Sequence, residues 1–202
     1  MPHPDRFYPV VDSVEWVVRL AKLGVRTVQL RVKNIAHEEA IAMVREALAA
    51  TKDTRTEIVV NDHWQAAIAA GAKHVHLGQE DLADADVPAI RRAGLTLGLS
   101  THDGAELENA LRFDPDYVAL GPIYETTLKK MRFKPQGVDR ITAWKHAVGR
   151  IPLVAIGGIK LEQARPIFAA GADSIAVVSD VTMNADPDAR VRAWLELVKA
   201  ED

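Results

Sequence analysis

The sequence contains no cysteine, and this absence removes several classes of site at once. Without thiols the chain cannot form disulfides, thiolate metal centres or a cysteine nucleophile. It also has no run that approaches the roughly 20 apolar residues of a membrane-spanning helix. The opening stretch MPHPDRFYPVVD lacks an apolar signal core, so the expected location is the cytoplasm.

An excess of positive charge is missing as well. The chain has 25 lysine and arginine residues against 28 aspartate and glutamate residues, for a formal net charge of -3. No global basic field therefore exists to hold nucleic acid or an anionic membrane surface, and any anion must bind locally. The expected partners are small molecules, while a homo-oligomer is compatible with the sequence.

Short β-branched runs recur along the chain and predict eight strands, at residues 7–12, 27–33, 57–62, 74–79, 96–101, 116–124, 152–159 and 174–180. Eight segments with helical spacing alternate with them. This order implies parallel strands joined by crossover helices, either in an open doubly wound sheet or in a closed TIM (β/α)₈ barrel, and the count favours the barrel. Composition does not shift along the chain, so residues 1–202 are expected to form a single domain.

Polar side chains follow nearly every predicted strand. Because reactive groups of such barrels lie where strands end, we expect them to share one rim. They are Arg31 and Lys33; Asn61 and Asp62; Gln79, Glu80 and Asp81; Ser100, Thr101 and His102; Thr126, Thr127, Lys129 and Lys130; Gly157 and Gly158; and Ser179 and Asp180.

The stretch VQLRVK, residues 28–33, alternates apolar and polar residues as a half-buried strand does. Its polar positions are Gln29, Arg31 and Lys33, one amide followed by two cations. One interpretation is an anion site, and the alternative is a structural layer of hydrogen-bonded ion pairs inside the barrel.

Carboxylates at two other exits, Asp62 and Asp81, would repel a phosphate unless a hard divalent cation lay between them. Mg²⁺ uses one or two carboxylates together with phosphate oxygens, so the set suits a diphosphate bound with Mg²⁺. The alternatives are that Asp62 caps the helix beginning at Trp64, that Asp81 serves a turn, and that Ser100 caps the following helix.

A second anion site is indicated by the last two exits, IGGIK and VSDVT. In many barrels these loops hold a phosphate with backbone N–H groups and the start of a short helix. Gly157 and Gly158 would allow close backbone approach, although a tight turn alone could also require them. Two anion sites suggest two phosphorylated substrates, or one substrate with a phosphate at each end.

The motifs occur in a fixed order, each at a strand exit: QLRVK, NDHW, VHLGQEDL, GLSTHD, GPIYETTLKK with MRFKPQG, AIGGI and AVVSD. Along essentially the whole chain this combination resembles the thiamine-phosphate synthase family. The resemblance implies a Mg²⁺-dependent transferase that joins 4-amino-2-methyl-5-hydroxymethylpyrimidine diphosphate to 4-methyl-5-(2-phosphooxyethyl)thiazole. Pyrophosphate leaves through a dissociative, carbocation-like state, which requires no protein nucleophile.

The resemblance also implies roles for individual positions. Asp62 and Asp81 match the metal ligands of the family. The residues implied to bind the pyrimidine diphosphate are Gln29, Arg31, Lys33, Asn61, Ser100 and Lys129. The expected catalytic residues among them are Arg31, Lys33, Ser100 and Lys129. The residues implied to bind the thiazole phosphate are Thr126, Thr127, Gly158, Val178 and Ser179.

The chain departs from the family pattern at three positions: Glu125 replaces a proline, Leu128 a threonine, and Asp180 a small residue. All three bear on the thiazole-phosphate site, where an unscreened Asp180 carboxylate would oppose phosphate binding. Two other functions therefore stay open, a thiazole tautomerase of a related barrel family and a non-catalytic sensor of thiamine precursors.

Overall fold

A computed structural model of the chain describes residues 3–126 and 134–200, and they form a closed barrel. Eight parallel strands pair in sequence order, and the last pairs with the first. The strands are β1 (Phe7–Val11), β2 (Thr27–Leu30), β3 (Glu57–Asn61), β4 (His74–Leu77), β5 (Thr96–Thr101), β6 (Tyr117–Leu120), β7 (Leu153–Ile156) and β8 (Ser174–Val177). The predicted TIM barrel is confirmed.

Helices lie between successive strands and after the last one. They are α1 (Val14–Lys22), α2 (His37–Thr51), α3 (Trp64–Ala70), α4 (Gln79–Ala83), α5 (Val87–Arg92), α6 (Gly104–Leu111), α7 (Val138–Val148), α8 (Ala164–Ala169), α9 (Ser179–Thr182) and α10 (Pro187–Ala200). A short 3₁₀ turn at Leu161–Gln163 precedes α8. None of the helices within the described residues is both long and apolar enough to span a membrane.

Polar side chains fix where several helices begin. The Ser13 hydroxyl accepts a hydrogen bond from the Trp16 amide at the start of α1. Asp86 and Asp103 cap α5 and α6 in the same way. Each side chain satisfies an amide that has no partner within its own helix.

Alternation along the strands separates two apolar layers. Tyr8 and Val10 of β1 belong to a cluster inside the barrel, whereas Phe7 and Val11 pack outward with the helices. The ring of Phe7 stacks on Trp194 of α10 with centroids 5.3 Å apart. Side chains two residues apart on one strand therefore share the interior, which aligns polar groups from different strands.

Four strands end at least three residues earlier than the sequence predicted. Strand β2 ends at Leu30 rather than at residue 33, and β6, β7 and β8 end at Leu120, Ile156 and Val177. Apolar residues continue past these ends: Ile123 and Ile159 are buried although they lie outside strands. The predicted strands were too long because these buried apolar residues continue the apolar pattern beyond the paired backbone.

The prediction of eight helices was also wrong, because the described residues form ten. The additional helices, α4 and α9, occupy the exits after β4 and β8. Each is only four or five residues long, too short for hydrophobic periodicity to reveal.

Candidate active site

Polar side chains inside the barrel form a continuous hydrogen-bonded chain below the C-terminal rim. Gln29 Nε2 donates to Tyr8 Oη at 2.7 Å, and the hydroxyls of Tyr8 and Tyr117 lie 3.2 Å apart. His76 Nδ1 lies 3.0 Å from Tyr117 Oη, and His76 Nε2 lies 2.8 Å from Ser100 Oγ. Five strands, β1, β2, β4, β5 and β6, therefore contribute one side chain each to a single network.

Gly98 of β5 provides the space that this network needs. A side chain built at this position would meet the ring of Tyr117, its neighbour on β6. The large ring fits inside the barrel because the adjacent strand carries no side chain there.

Burial changes the acid–base behaviour of the network. It raises the pKa of both Tyr8 and Tyr117, which keeps the phenols protonated. Burial and the nearby charge of Arg31 lower the pKa of His76 to about 4. His76 is therefore neutral near pH 7.

The polar run Gln29, Arg31 and Lys33 is divided between strand and loop. Gln29 is 4% exposed and points inward, while Arg31 and Lys33 follow the end of β2. The Arg31 amide still donates to the Val11 carbonyl at 2.8 Å, but pairing with β3 stops at Leu30 and Val60. The prediction of one continuous strand face was therefore wrong: Gln29 lies inside the barrel, whereas Arg31 and Lys33 follow the strand end at the rim.

Asn61 brings an unsatisfied donor to this rim. The residue ends β3 and is 5% exposed, and its Nδ2 is buried without a hydrogen-bond partner among the described residues. A buried amide donor without a partner is costly, so such a group indicates a place for an acceptor from a ligand or water.

Asp62 does not cap α3. The N-cap is His63, and no side chain caps this helix. Asp62 instead adopts a left-handed backbone with φ 63°, and its carboxylate Oδ2 lies 3.7 Å from Lys33 Nζ. Its side chain is 16% exposed, which places a negative charge at the rim in a largely buried position.

Asp81 lies on α4 and its carboxyl group meets that of Asp62. Burial raises the pKa of Asp81, and the charge and hydrogen bond of Asp62 raise it further, while Lys33 acts in the opposite direction. Two carboxylates so close repel one another unless a proton or a cation lies between them. The pair therefore has the donor chemistry of a hard-cation site.

Within the described residues, no cluster of three or more histidine, aspartate and glutamate side chains could hold a metal ion. A transition-metal cage is thus not formed by these parts of the chain. Two carboxylates fit Mg²⁺, which takes its remaining ligands from water and substrate phosphates.

Ser100 does not cap a helix either, because Asp103 caps α6. Its hydroxyl bonds to His76, and its carbonyl accepts from Gln79 Nε2 at 2.7 Å. Asn109 Nδ2 donates to the Gln79 Oε1 at 3.0 Å, which fixes the amide of Gln79. Ser100 is therefore held on both its side chain and its backbone.

A second concave region lies at the exits of β7 and β8. Thr126, Gly158 and Ser179 line a cavity of about 600 Å³, and the same residues with Val178 line an adjoining cavity of about 30 Å³. These are four of the residues expected at the second anion site. Three residues of this loop lie outside the described residues. They are Thr127, which was expected at this site, Lys129, which was expected at the diphosphate, and Leu128.

Gly158 has a local structural reason to be glycine. Its φ is 68°, and a Cβ at this position would come within 2.9 Å of the backbone carbonyl carbon of Tyr124. The exits of β6 and β7 therefore pack directly against one another by backbone. This contact brings Glu125 and Thr126 to the mouth of the larger cavity.

Asp180 is not an unscreened charge. Arg190 donates from Nε and Nη2 to its carboxylate at 2.9 and 2.8 Å, and Trp194 Nε1 donates at 2.7 Å. The Leu161 amide adds a fourth contact at 3.2 Å, and the side chain is only 5% exposed. Arg190, which also bonds to Glu162, thus screens the Asp180 carboxylate and anchors α10, whereas Glu125 is exposed at the cavity.

Sequence reasoning missed three residues of this region, Tyr8, His76 and Tyr117, and it expected Gln79 at the rim without assigning it a role. The strand pattern alone does not distinguish the two tyrosines from ordinary strand residues, and it gives His76 no role. The available signal was position, since Gln29 of β2, His76 of β4 and Ser100 of β5 fall on inward-facing positions of the barrel.

Comparisons with known proteins match one family over nearly the whole chain. Residues 6–181 match the model of a family described as thiamine monophosphate synthase. The thiamine-phosphate synthase of Rhizobium etli is 54% identical, over 95% of this chain and 94% of the relative. That of Neisseria meningitidis serogroup B is 47% identical, over 96% and 95% of the two chains.

Solved structures agree with the sequence relatives. A thiamine phosphate pyrophosphorylase from Pyrococcus furiosus superposes with a TM-score of 0.84 at 26% identity, covering 96% of both chains. A 3-hexulose-6-phosphate synthase from Salmonella typhimurium has a TM-score of 0.74 at 14% identity, covering 98% of this chain and all of the other, and that likeness shows the barrel fold alone. The chain therefore belongs to the thiamine monophosphate synthase family.

Proposed function

We propose that this protein is a thiamine-phosphate synthase. It would join 4-amino-2-methyl-5-hydroxymethylpyrimidine diphosphate to 4-methyl-5-(2-phosphooxyethyl)thiazole and release pyrophosphate. The observation that carries the proposal is the meeting of Lys33, Asp62 and Asp81 at one rim. A cation beside two close carboxylates suits a metal-bound diphosphate better than a bare phosphate.

Asp62 and Asp81 would hold Mg²⁺. The two carboxylates lie close enough to repel each other, and a divalent cation between them would relieve this repulsion. The described residues bring no third acidic or histidine side chain into the group, which leaves coordination positions for water and substrate phosphates. When bound, Mg²⁺ supplies positive charge that stabilises the departing diphosphate.

The remaining rim residues would bind and orient the pyrimidine diphosphate. Arg31 and Lys33 supply positive charge toward its phosphates, where negative charge increases as the carbon–oxygen bond breaks. The buried donor of Asn61 has no protein partner in the described parts of the chain and is available to an acceptor on the substrate. Gln29 and Ser100 complete the polar floor.

The thiazole phosphate would occupy the region between the exits of β7 and β8. Thr126, Gly158, Val178 and Ser179 line it, and Arg190 screens the Asp180 carboxylate, which reduces its repulsion of an anion. The roles of Thr127 and Lys129 stay predictions, as does the cytoplasmic location.

The test is product analysis by mass spectrometry after the purified protein is mixed with both phosphorylated substrates and Mg²⁺. We expect thiamine phosphate and pyrophosphate, with neither formed when either substrate or the metal is omitted. Conversion of the thiazole phosphate alone, without thiamine phosphate, would instead identify a tautomerase. Saturable binding of the pyrimidine diphosphate without any product would identify a sensor.

A further inference from the structure

The buried chain from Gln29 to Ser100 has a direction that its end groups determine. Gln29 Nε2 is a donor, so the Tyr8 oxygen accepts from it. The Tyr8 proton then points to its other partner, the Tyr117 oxygen. The Tyr117 proton in turn points to His76 Nδ1, which must accept.

An imidazole that accepts at Nδ1 carries its single proton on Nε2 when it is neutral. His76 Nε2 therefore donates to Ser100 Oγ, 2.8 Å away. Ser100 accepts this bond, so its own hydroxyl proton is free for another acceptor. No described residue takes that proton.

The opposite direction leaves a donor buried without a partner. A proton on His76 Nδ1 would donate to Tyr117, whose hydroxyl would then donate to Tyr8. The Tyr8 oxygen would accept from both Gln29 and Tyr117, and its own proton would have no acceptor among the described residues. Tyr8 is 1% exposed, so water does not replace the missing partner. An imidazolium, which donates at both nitrogens, creates the same fault.

We propose that His76 is a positioning residue: as the neutral Nε2–H tautomer it donates to Ser100 Oγ and thereby directs the Ser100 hydroxyl proton to an acceptor on the bound pyrimidine diphosphate. This inference rests on the proposed function for the identity of the substrate. The tautomer itself depends only on the protein.

The fixed geometry of His76 supports this role. Its ring stacks on Tyr117 with centroids 5.5 Å apart and an interplanar angle of 25°, and the residue is 5% exposed. Both ring nitrogens are engaged, so the ring cannot flip without breaking two hydrogen bonds. Ser100 is in this way aligned before substrate binds, which is the purpose of a preorganised site.

The first experiment is nitrogen-15 NMR of the histidine-labelled protein near pH 7, with the His76 signals assigned by their loss in H76Q. We expect a protonated Nε2 and an unprotonated Nδ1. A protonated Nδ1, alone or together with Nε2, would overturn the proposal. Since no substrate is present, this result does not depend on the proposed function.

The second experiment compares H76Q and H76N in steady-state kinetics. The glutamine amide can occupy the place of Nε2 and donate to Ser100, whereas the asparagine amide reaches only the place of Nδ1. We expect kcat in H76Q to stay within about tenfold of the wild type and kcat in H76N to fall about a hundredfold, the scale of one lost hydrogen bond to a charged group. Equal losses in the two variants would overturn the proposal.

His74 offers a matched control on the same strand. It also faces inward, but it bonds to Thr96 and Glu57 beside a cavity of about 10 Å³ at the opposite end of the barrel. We expect H74Q to change the melting temperature without changing kcat. A purely structural role of His76 would leave kcat unchanged in H76N, as it is in H74Q.

A double-mutant cycle then tests whether His76 acts through Ser100. S100A should lower kcat strongly in the wild type but less than threefold in the H76N background. An undiminished effect of S100A in that background would show that the two residues act independently and would overturn the proposal. Lack of product from the wild-type protein, in contrast, would overturn the proposed function while the NMR result still decides the tautomer.

Discussion

Lys33 Nζ lies 3.7 Å from Asp62 Oδ2, although the two residues follow different strands of the barrel. The lysine side chain is 50% exposed and the aspartate side chain 16% exposed, so the pair lies at the boundary between rim and solvent. An ion pair of this exposure contributes little to folding. A second carboxylate, that of Asp81, interacts with this pair. When ionised, Lys33, Asp62 and Asp81 together carry a net negative charge.

This arrangement predicts the effect of D62N on metal dependence. Asparagine keeps the size of the side chain and tolerates the left-handed backbone at φ 63°, so the fold should persist. Removal of one carboxylate should raise the Mg²⁺ concentration for half-maximal activity about tenfold or more. D86N, at the cap of α5, is the control, and an unchanged metal response in D62N would remove Asp62 from the metal site.

Asn61 leads to a prediction in which stability and activity change in different directions. N61L removes a buried unsatisfied donor, so the free energy of unfolding should be unchanged or higher by about 1 kcal/mol. The KM for the pyrimidine diphosphate should rise, because its acceptor loses a partner. Urea unfolding and steady-state kinetics measure the two effects, and a marked loss of stability would indicate that Nδ2 is satisfied in solution.

Asp180 predicts a loss of stability. D180A leaves Trp194 Nε1 without its acceptor and Arg190 with only Glu162, at a cost of about 2 kcal/mol. D180N keeps an acceptor for Trp194 and should cost less. Urea unfolding of the two variants should rank them in this order, and a D180A protein as stable as the wild type would contradict the anchoring role of Asp180.

Glu162 predicts a small dependence of stability on pH. Hydrogen bonds from Arg190 lower the pKa of Glu162 from 4.5 to about 2. A carboxyl group whose pKa is lower in the folded state contributes stability above pH 4.5 and loses it as the pH falls toward 2. The side chain is 66% exposed, so the contribution is at most about 1 kcal/mol. The stability difference between wild type and E162Q should therefore shrink on acidification, and a difference that grows would contradict the assignment.

Substitution of Gly158 is expected to raise the KM for one substrate more than the KM for the other. G158A forces a Cβ against the backbone of Tyr124, which should displace the exit of β6 and raise the KM for the thiazole phosphate more than that for the pyrimidine diphosphate. Gly149 also has a positive φ, of 60°, but no atom lies within 4 Å of an added Cβ. G149A therefore reports the conformational cost alone, about 1 kcal/mol, with both KM values unchanged. Equal KM increases for the two substrates in G158A would argue against a local effect.

The sequence predicted the barrel and most of the rim because strand order and strand exits are local properties. Asn61, Asp62 and Ser100 could be assigned to the rim because they lie at or just after the ends of β-branched runs, and Gln29 could be assigned to the polar face of β2 because it alternates with apolar residues. Asp81 was also found, although the helix that carries it was not, because α4 is too short for periodicity.

What sequence reasoning did not provide was the pairing of side chains across the barrel. The partner of Asp180 is Arg190, ten positions later on α10, and nothing in the local pattern distinguishes it from a solvated charge. The interior chain through Tyr8, Tyr117 and His76 depends on the register of four strands and on the missing side chain at Gly98. Such contacts require the three-dimensional pairing of strands that are distant in sequence.

Closure of the sheet also sets an order of events during folding. The seam between β1 and β8 includes a hydrogen bond from Ser174 Oγ to the Asp5 carbonyl, between residues 169 positions apart. Joining such distant segments carries a high entropic cost before any contact offsets it. Because the Tyr8 hydroxyl also bonds to Tyr117 of β6, 109 positions away, we expect the interior network to be complete only after the ring of strands has closed, so that catalytic competence appears late on the folding pathway.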